Sequence, residues 1–314
     1  MSAPKIRTCP KCGFAQPPAE SYCLKCGLVF AKYRRRQAEK PPAPQGSLTP
    51  EAEEDLELVE DHLFVTHNLG PHGWLSVAGG ALLAVIVLLL PRLDFIFQTF
   101  ITLVHELGHA LFGWLFGYPS IPAFDFMYGG GVTMHQQRAL PLVYSVLALL
   151  ALAGVIYRHN LRTLAVLAGS ALLYALCAFT RIHEVLNLFM GHGTELIIAG
   201  IFLYRGFSGF AVIHAVERPL YAFLGFFVLF SDLRFAWRLI TDPVHRYLYE
   251  EAKGGGHWMD FSRIAEEYLR VDLSAVALFF LCCCLLPPLA IWLYRTWRTA
   301  ILLQLNRLFE RHPA

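Results

Sequence analysis

Phe95-Ile96-Phe97-Gln98-Thr99-Phe100-Ile101-Thr102-Leu103-Val104-His105-Glu106-Leu107-Gly108-His109-Ala110-Leu111-Phe112-Gly113-Trp114-Leu115-Phe116-Gly117 is long enough to cross a bilayer as a helix. Its only ionisable groups are His105, Glu106 and His109, in the middle. Similar runs lie on both sides. Trp74 to Leu90 carries no charge over 17 residues, about 26 Å of helix, and ends at Pro91. Ala139 to Tyr157 and Thr163 to Thr180 are uncharged and bracketed by Arg138, Arg158, Arg162 and Arg181. Val185 to Tyr204 holds one carboxylate, Glu195. Gly206 to Ser231 is broken by Glu217-Arg218-Pro219, and Ser274 to Tyr294 contains Pro287-Pro288; each is expected to kink or divide there.

The fold expected is therefore mostly α: a polytopic membrane protein with six or seven transmembrane helices. Composition agrees. Of the 314 residues 56% are apolar and 16% charged, against about 25% charged in soluble domains. Eighteen of the 50 charges fall in the first 70 residues, so the rest is poorer still. This excludes a soluble globular enzyme, a disordered chain and a disulfide-dense secreted domain. A net charge of +2 with no long basic face gives no reason to expect a nucleic-acid partner.

The polar N-terminal region has a different chemistry. Cys9-Pro10-Lys11-Cys12 and Cys23-Leu24-Lys25-Cys26 are two C-x-x-C pairs, each followed by glycine. Four thiolates at this spacing close a tetrahedral structural zinc site, and a module this small needs the metal to fold. Residues 1–30 thus resemble a zinc ribbon. Thiolates holding zinc imply a reducing compartment, hence a cytosolic N-terminus, as at a bacterial inner membrane. Residues 31–72 are expected to be a linker, basic and proline-rich and then acidic from Glu51 to Asp61. The ribbon could recruit a cytosolic protein. The core should run over 73–241, a polar loop with an amphipathic helix over 242–270, and a last span with a basic tail over 271–314.

His105-Glu106-Leu107-Gly108-His109 is H-E-x-x-H. Residues four apart share a helix face, so both imidazoles can grip one ion, with Glu106 close enough to take a proton from a water there. Two histidines and a glutamate in mid-span are costly in lipid and are seldom kept without a partner. The plain alternative is an interhelical hydrogen-bond cluster.

Thr102 to Ala110 resembles the active-site helix of the intramembrane zinc metalloproteases of the site-2 protease family. The segment 124–133, Phe-Asp-Phe-Met-Tyr-Gly-Gly-Gly-Val-Thr, resembles that family's short membrane-associated β-hairpin, whose edge strand holds the substrate extended. The resemblance covers roughly residues 95–200. It implies a zinc-dependent endopeptidase that cuts membrane-embedded or membrane-proximal segments of protein substrates within the lipid bilayer, with Glu106 as the base.

A catalytic zinc needs a third protein ligand and an open position. The family takes an aspartate from an N-x-x-P-x-P-x-L-D-G-like motif. Asn187-Leu188-Phe189-Met190-Gly191-His192-Gly193-Thr194-Glu195-Leu196 keeps the asparagine but lacks the prolines and the aspartate. The count from Asn187 puts the ligand at Glu195; the following glycine favours His192. His183, Glu184, Asp125 and His135 are further candidates. Asn187 is expected to donate to the developing oxyanion. The departure from the motif leaves a second reading open, a non-catalytic zinc-binding scaffold or chaperone-like relative.

Overall fold

The computed structural model describes residues 7–10, 15–16, 21–22, 30, 69–125, 130–251 and 258–309. The chain divides into two units, Met1–Leu58 and Val59–Ala314. In the first, β1 (Arg7–Thr8) pairs antiparallel with β2 (Ala15–Gln16), and Cys9 follows β1 in a buried position. Cys12, Cys23 and Cys26, and with them the expected four-thiolate site, lie outside the described residues.

The second unit is helical: α1 (Pro71–Leu89), α2 (Pro91–Leu115), α3 (Leu140–Ile156), α4 (Leu161–Ala178), α5 (Ile182–Ser208) and α6 (Glu217–Thr241) are followed by α7 (Pro243–Glu250). Then come α8 (Asp260–Arg263), continued by a π-helical turn over Ile264–Leu269, α9 (Leu273–Cys283) and α10 (Leu286–Phe309). Among the described residues six helical stretches are long and apolar enough to cross a membrane: α1, α2, α4, α5, α6 and Leu273–Arg298. The chain reads as a multi-pass membrane protein. The additional span expected at 139–157 is a helix of 17 residues, shorter than the six.

Local chemistry sets the boundaries. Proline opens α1, α2, α3 and α7 within the first two positions, where its missing N–H costs nothing. Asn160 caps α4 by accepting from Thr163 N–H at 3.2 Å. α5 ends at Gly209, in the left-handed region at φ 69°. The expected break at 217–219 is the start of α6, with Pro219 in the first turn. Pro287 and Pro288 likewise fall in the first turn of α10, so the last apolar stretch is two helices joined at Cys284.

α6 is the centre of the bundle. Phe227, Val228, Ala236 and Leu239 are fully buried among α1, α5 and α9. α5 runs antiparallel to it, with Leu203 against Gly225 and Gly206 against Ala222, the small-residue packing typical of helices in lipid. Leucines on the outer faces, such as Leu82, Leu89, Leu172 and Leu173, stay exposed; lipid tails cover them as readily as a core would.

β3 (Ser120–Phe124) and β4 (Gly131–His135) form an antiparallel hairpin in register from Ser120↔His135 to Phe124↔Gly131. The hairpin expected over 124–133 is therefore displaced. Its first strand runs over Ser120–Phe124, a few residues after α2 ends at Leu115, and residues 126–129 of the expected segment lie outside the described residues. Trp114 Nε1–H donates to Ser120 O at 2.9 Å and ties the hairpin to α2.

Candidate metal centre

α2 presents His105 and His109 on one face, with their Nε2 atoms 3.0 Å apart. Asp260, at the first position of α8, places Oδ2 3.1 Å from both. Hydrogen-bond roles decide what this triangle is. His109 Nδ1 lies 2.8 Å from the backbone carbonyl of Asn187, which can only accept. The Nδ1 proton is therefore fixed and Nε2 carries a lone pair. His105 Nδ1 lies 2.7 Å from Glu195 Oε1, so the carboxylate fixes its proton in the same way. Two imidazole lone pairs and a carboxylate oxygen thus converge. The edge of a tetrahedral zinc shell with 2.0–2.1 Å bonds is about 3.3 Å, close to these spacings. The donor set suits a divalent cation of borderline softness.

Glycine makes this convergence possible. At Gly191, where α5 passes the imidazole pair, a Cβ would stand 2.5 Å from His109 Nε2 and 2.6 Å from His105 Nε2. At Gly108 a Cβ would run into the backbone carbonyl of Met190. These two positions let α2 and α5 approach closely enough for Asn187 and Glu195 to reach the imidazoles.

Glu195 and His192 both reach the site, on the Nδ1 side of His105. The two oxygens of Glu195 accept from His105 Nδ1 and from His192 Nδ1, the latter at 2.9 Å. Glu195 is fully buried, and His192 is stacked on Phe235 and touches Phe261 and Phe280. His105, His192 and Glu195 also bring three possible ligand atoms together. That set leaves out His109 and would have to displace the two hydrogen bonds to Glu195. An ion on the Nε2 side, with Glu195 behind His105, would use both histidines of the H-E-x-x-H.

Glu106 is buried and lines the same cavity of about 610 Å³ as His105, His109, Asn187 and Asp260. The Thr133 hydroxyl donates to its Oε2 at 2.6 Å. Gly131 on β4 faces the carboxyl, where a Cβ would collide with it. The Asn187 side chain stands on the cavity wall, its Nδ2 3.4 Å from His135 Nε2. Of the remaining candidates, His183, Glu184 and His135 line the cavity but bond to other partners. His183 donates from Nδ1 to Thr180 O and meets the Tyr118 hydroxyl at 3.0 Å. Glu184 pairs with Arg181. His135 is held at Nδ1 by Ser120. Asp125 does not line the cavity.

Asp260 escapes a reading of the sequence. It stands 151 residues beyond His109, outside every apolar run, in a stretch whose amphipathic pattern marks only an interfacial helix. The available signal was a carboxylate at the first position of that helix, just after Gly254-Gly255-Gly256. No protein-family model, curated protein or solved structure matches this chain.

Proposed function

We propose that the chain is an intramembrane zinc-dependent endopeptidase, with His105, His109 and Asp260 as the protein ligands of the metal. The observation that carries this reading is the meeting of two imidazole lone pairs and a carboxylate oxygen beside the buried carboxyl of Glu106, in one cavity between candidate spans. Glu195 and the carbonyl of Asn187 orient the two imidazoles.

Bound zinc supplies the Lewis acidity that acidifies water and polarises a peptide carbonyl. The residues do the rest. Glu106, positioned by Thr133, accepts the proton of the attacking water and passes it to the leaving amine. Asn187 Nδ2 donates to the oxyanion that develops on the carbonyl. A substrate helix hides its carbonyls, so the segment to be cut must unwind; β4, whose Gly131, Val132 and Thr133 line the cavity, is placed to receive it extended. The four-cysteine module is read as a structural zinc ribbon that engages a cytosolic partner.

The test uses the full chain reconstituted with a single-span membrane protein whose span contains a helix-breaking proline. Wild type should cut it, a chelator should stop it, and Glu106→Gln should lose 10²–10⁴-fold in rate while holding as much zinc. A Glu106→Gln protein that cuts at the wild-type rate would overturn the reading.

A further inference from the structure

A second cavity, of about 640 Å³, runs along α5 on the side facing α10 and shares no acid, histidine or asparagine with the first. Its walls are Gly193, Ile197, Gly200 and Ile201 from α5 and Pro287 and Ala290 from α10. It extends from Phe189 to Tyr204, about 23 Å of helix, more than the roughly 15 Å depth of one leaflet's hydrocarbon. The volume is in the range of small-molecule sites, about 300–1,000 Å³. Tyr204, Arg205 and Tyr294 close one end.

Arg205 lines that end, and two further cations sit at the last turn of α5 beside it. Arg218 Nη2 and Arg295 Nη1 both reach the carbonyl of Phe207, at 3.1 and 3.5 Å, and Arg218 Nε donates to Gly206 O at 2.9 Å. Arg205 donates from Nη2 to Ala211 O, lies over the Tyr221 ring at 3.9 Å, and has no acceptor at Nε. Among the described residues none of the three makes an ion pair. The nearby Glu217 accepts from the N–H groups of Ile213 and His214. Capping the last carbonyls of α5 explains why cations suit this helix end, yet it uses only some of the five donors that each guanidinium carries. Trp74 packs edge-on against Phe207, and Trp297 is exposed on α10, aromatic residues of the kind that mark the headgroup level.

We propose that this groove binds an anionic phospholipid, with one acyl chain between α5 and α10 and the phosphate at Arg205, Arg218 and Arg295. Apolar walls ending in unpaired guanidiniums at the headgroup level match that ligand at both ends. A neutral lipid would satisfy the walls and leave the cations without an anion.

The test is native mass spectrometry of the full chain in detergent, titrated separately with phosphatidylglycerol and phosphatidylcholine. One tightly held phosphatidylglycerol and at least a tenfold preference over phosphatidylcholine are expected. The exposed Arg295→Gln should erode the preference, and Arg205→Gln/Arg295→Gln should abolish it. Gly200→Leu, whose side chain fills the groove, should remove the bound lipid, with unfolding temperature as the check on folding. Equal retention of both lipids by wild type, or wild-type phosphatidylglycerol binding by a folded Gly200→Leu protein, would overturn the proposal. The groove shares no lining residue with the metal-centre cavity, and lipid retention is read without peptidase activity.

Discussion

Two protons, one on each Nδ1 of His105 and His109, turn a hydrogen-bonded cluster into a set of convergent lone pairs. The donors to Glu195 and Asn187 leave Nε2 bare on both rings. The competing occupant of the triangle is a proton on His105, shared towards Asp260, and substitutions separate the two. If the ion binds at Nε2, Asp260→Asn should weaken zinc binding by more than the roughly 10–100-fold expected of an orienting partner, and Glu195→Gln should fall within that range. The reverse ranking would place the ion at Nδ1 with Glu195 and His192. Zinc affinity of the two purified variants decides it. At this scale the sequence was informative where spacing carries chemistry: H-E-x-x-H needs only helical periodicity to put its imidazoles together. It was silent on Asp260, because the approach of a residue outside the spans is a tertiary fact with no local pattern. Asn187 shows a mixed case, since its backbone carbonyl, which no side-chain motif encodes, makes the contact to His109.

The elements matter through how closely they approach. Gly191→Ala puts a methyl group 2.5–2.6 Å from the imidazole nitrogens and should abolish zinc binding at this centre while helix content, read by circular dichroism, stays at the wild-type level. Gly108→Ala meets a backbone carbonyl that cannot rotate away. It should destabilise the α2–α5 pair by about 1–3 kcal/mol, measured as a lower unfolding midpoint of the reconstituted chain; an unchanged midpoint would mean the helices can slide apart freely. Spans were legible because twenty apolar residues in a row have few other uses. The hairpin was less so: glycine and β-branched residues mark 129–133, but Ser120, Ile121 and Pro122 hold no signal that separates a strand from the end of α2.

For the whole molecule, the centre draws ligands and orienting groups from α2, α5 and α8, so an ion bound there couples three elements. Saturating zinc, at 100 times its Kd, should add about 2.7 kcal/mol to the stability of the folded state. Chelation should lower the unfolding temperature of wild type more than that of a His105→Ala/His109→Ala protein, because any zinc held by the N-terminal cysteines would be common to both. Equal responses would show that the membrane unit holds no stabilising ion. The pattern of apolar runs and the charge-poor composition revealed this architecture in advance, whereas the cavity could not be read from them, because its walls come from segments more than a hundred residues apart.

The most direct test is the anomalous diffraction of zinc-loaded crystals of the full chain. A peak about 2.0–2.2 Å from His105 Nε2, His109 Nε2 and an Asp260 oxygen, with Glu195 still on His105 Nδ1, is the expected result. Anomalous density confined to the N-terminal cysteines, or lying between His192 and Glu195, would contradict it.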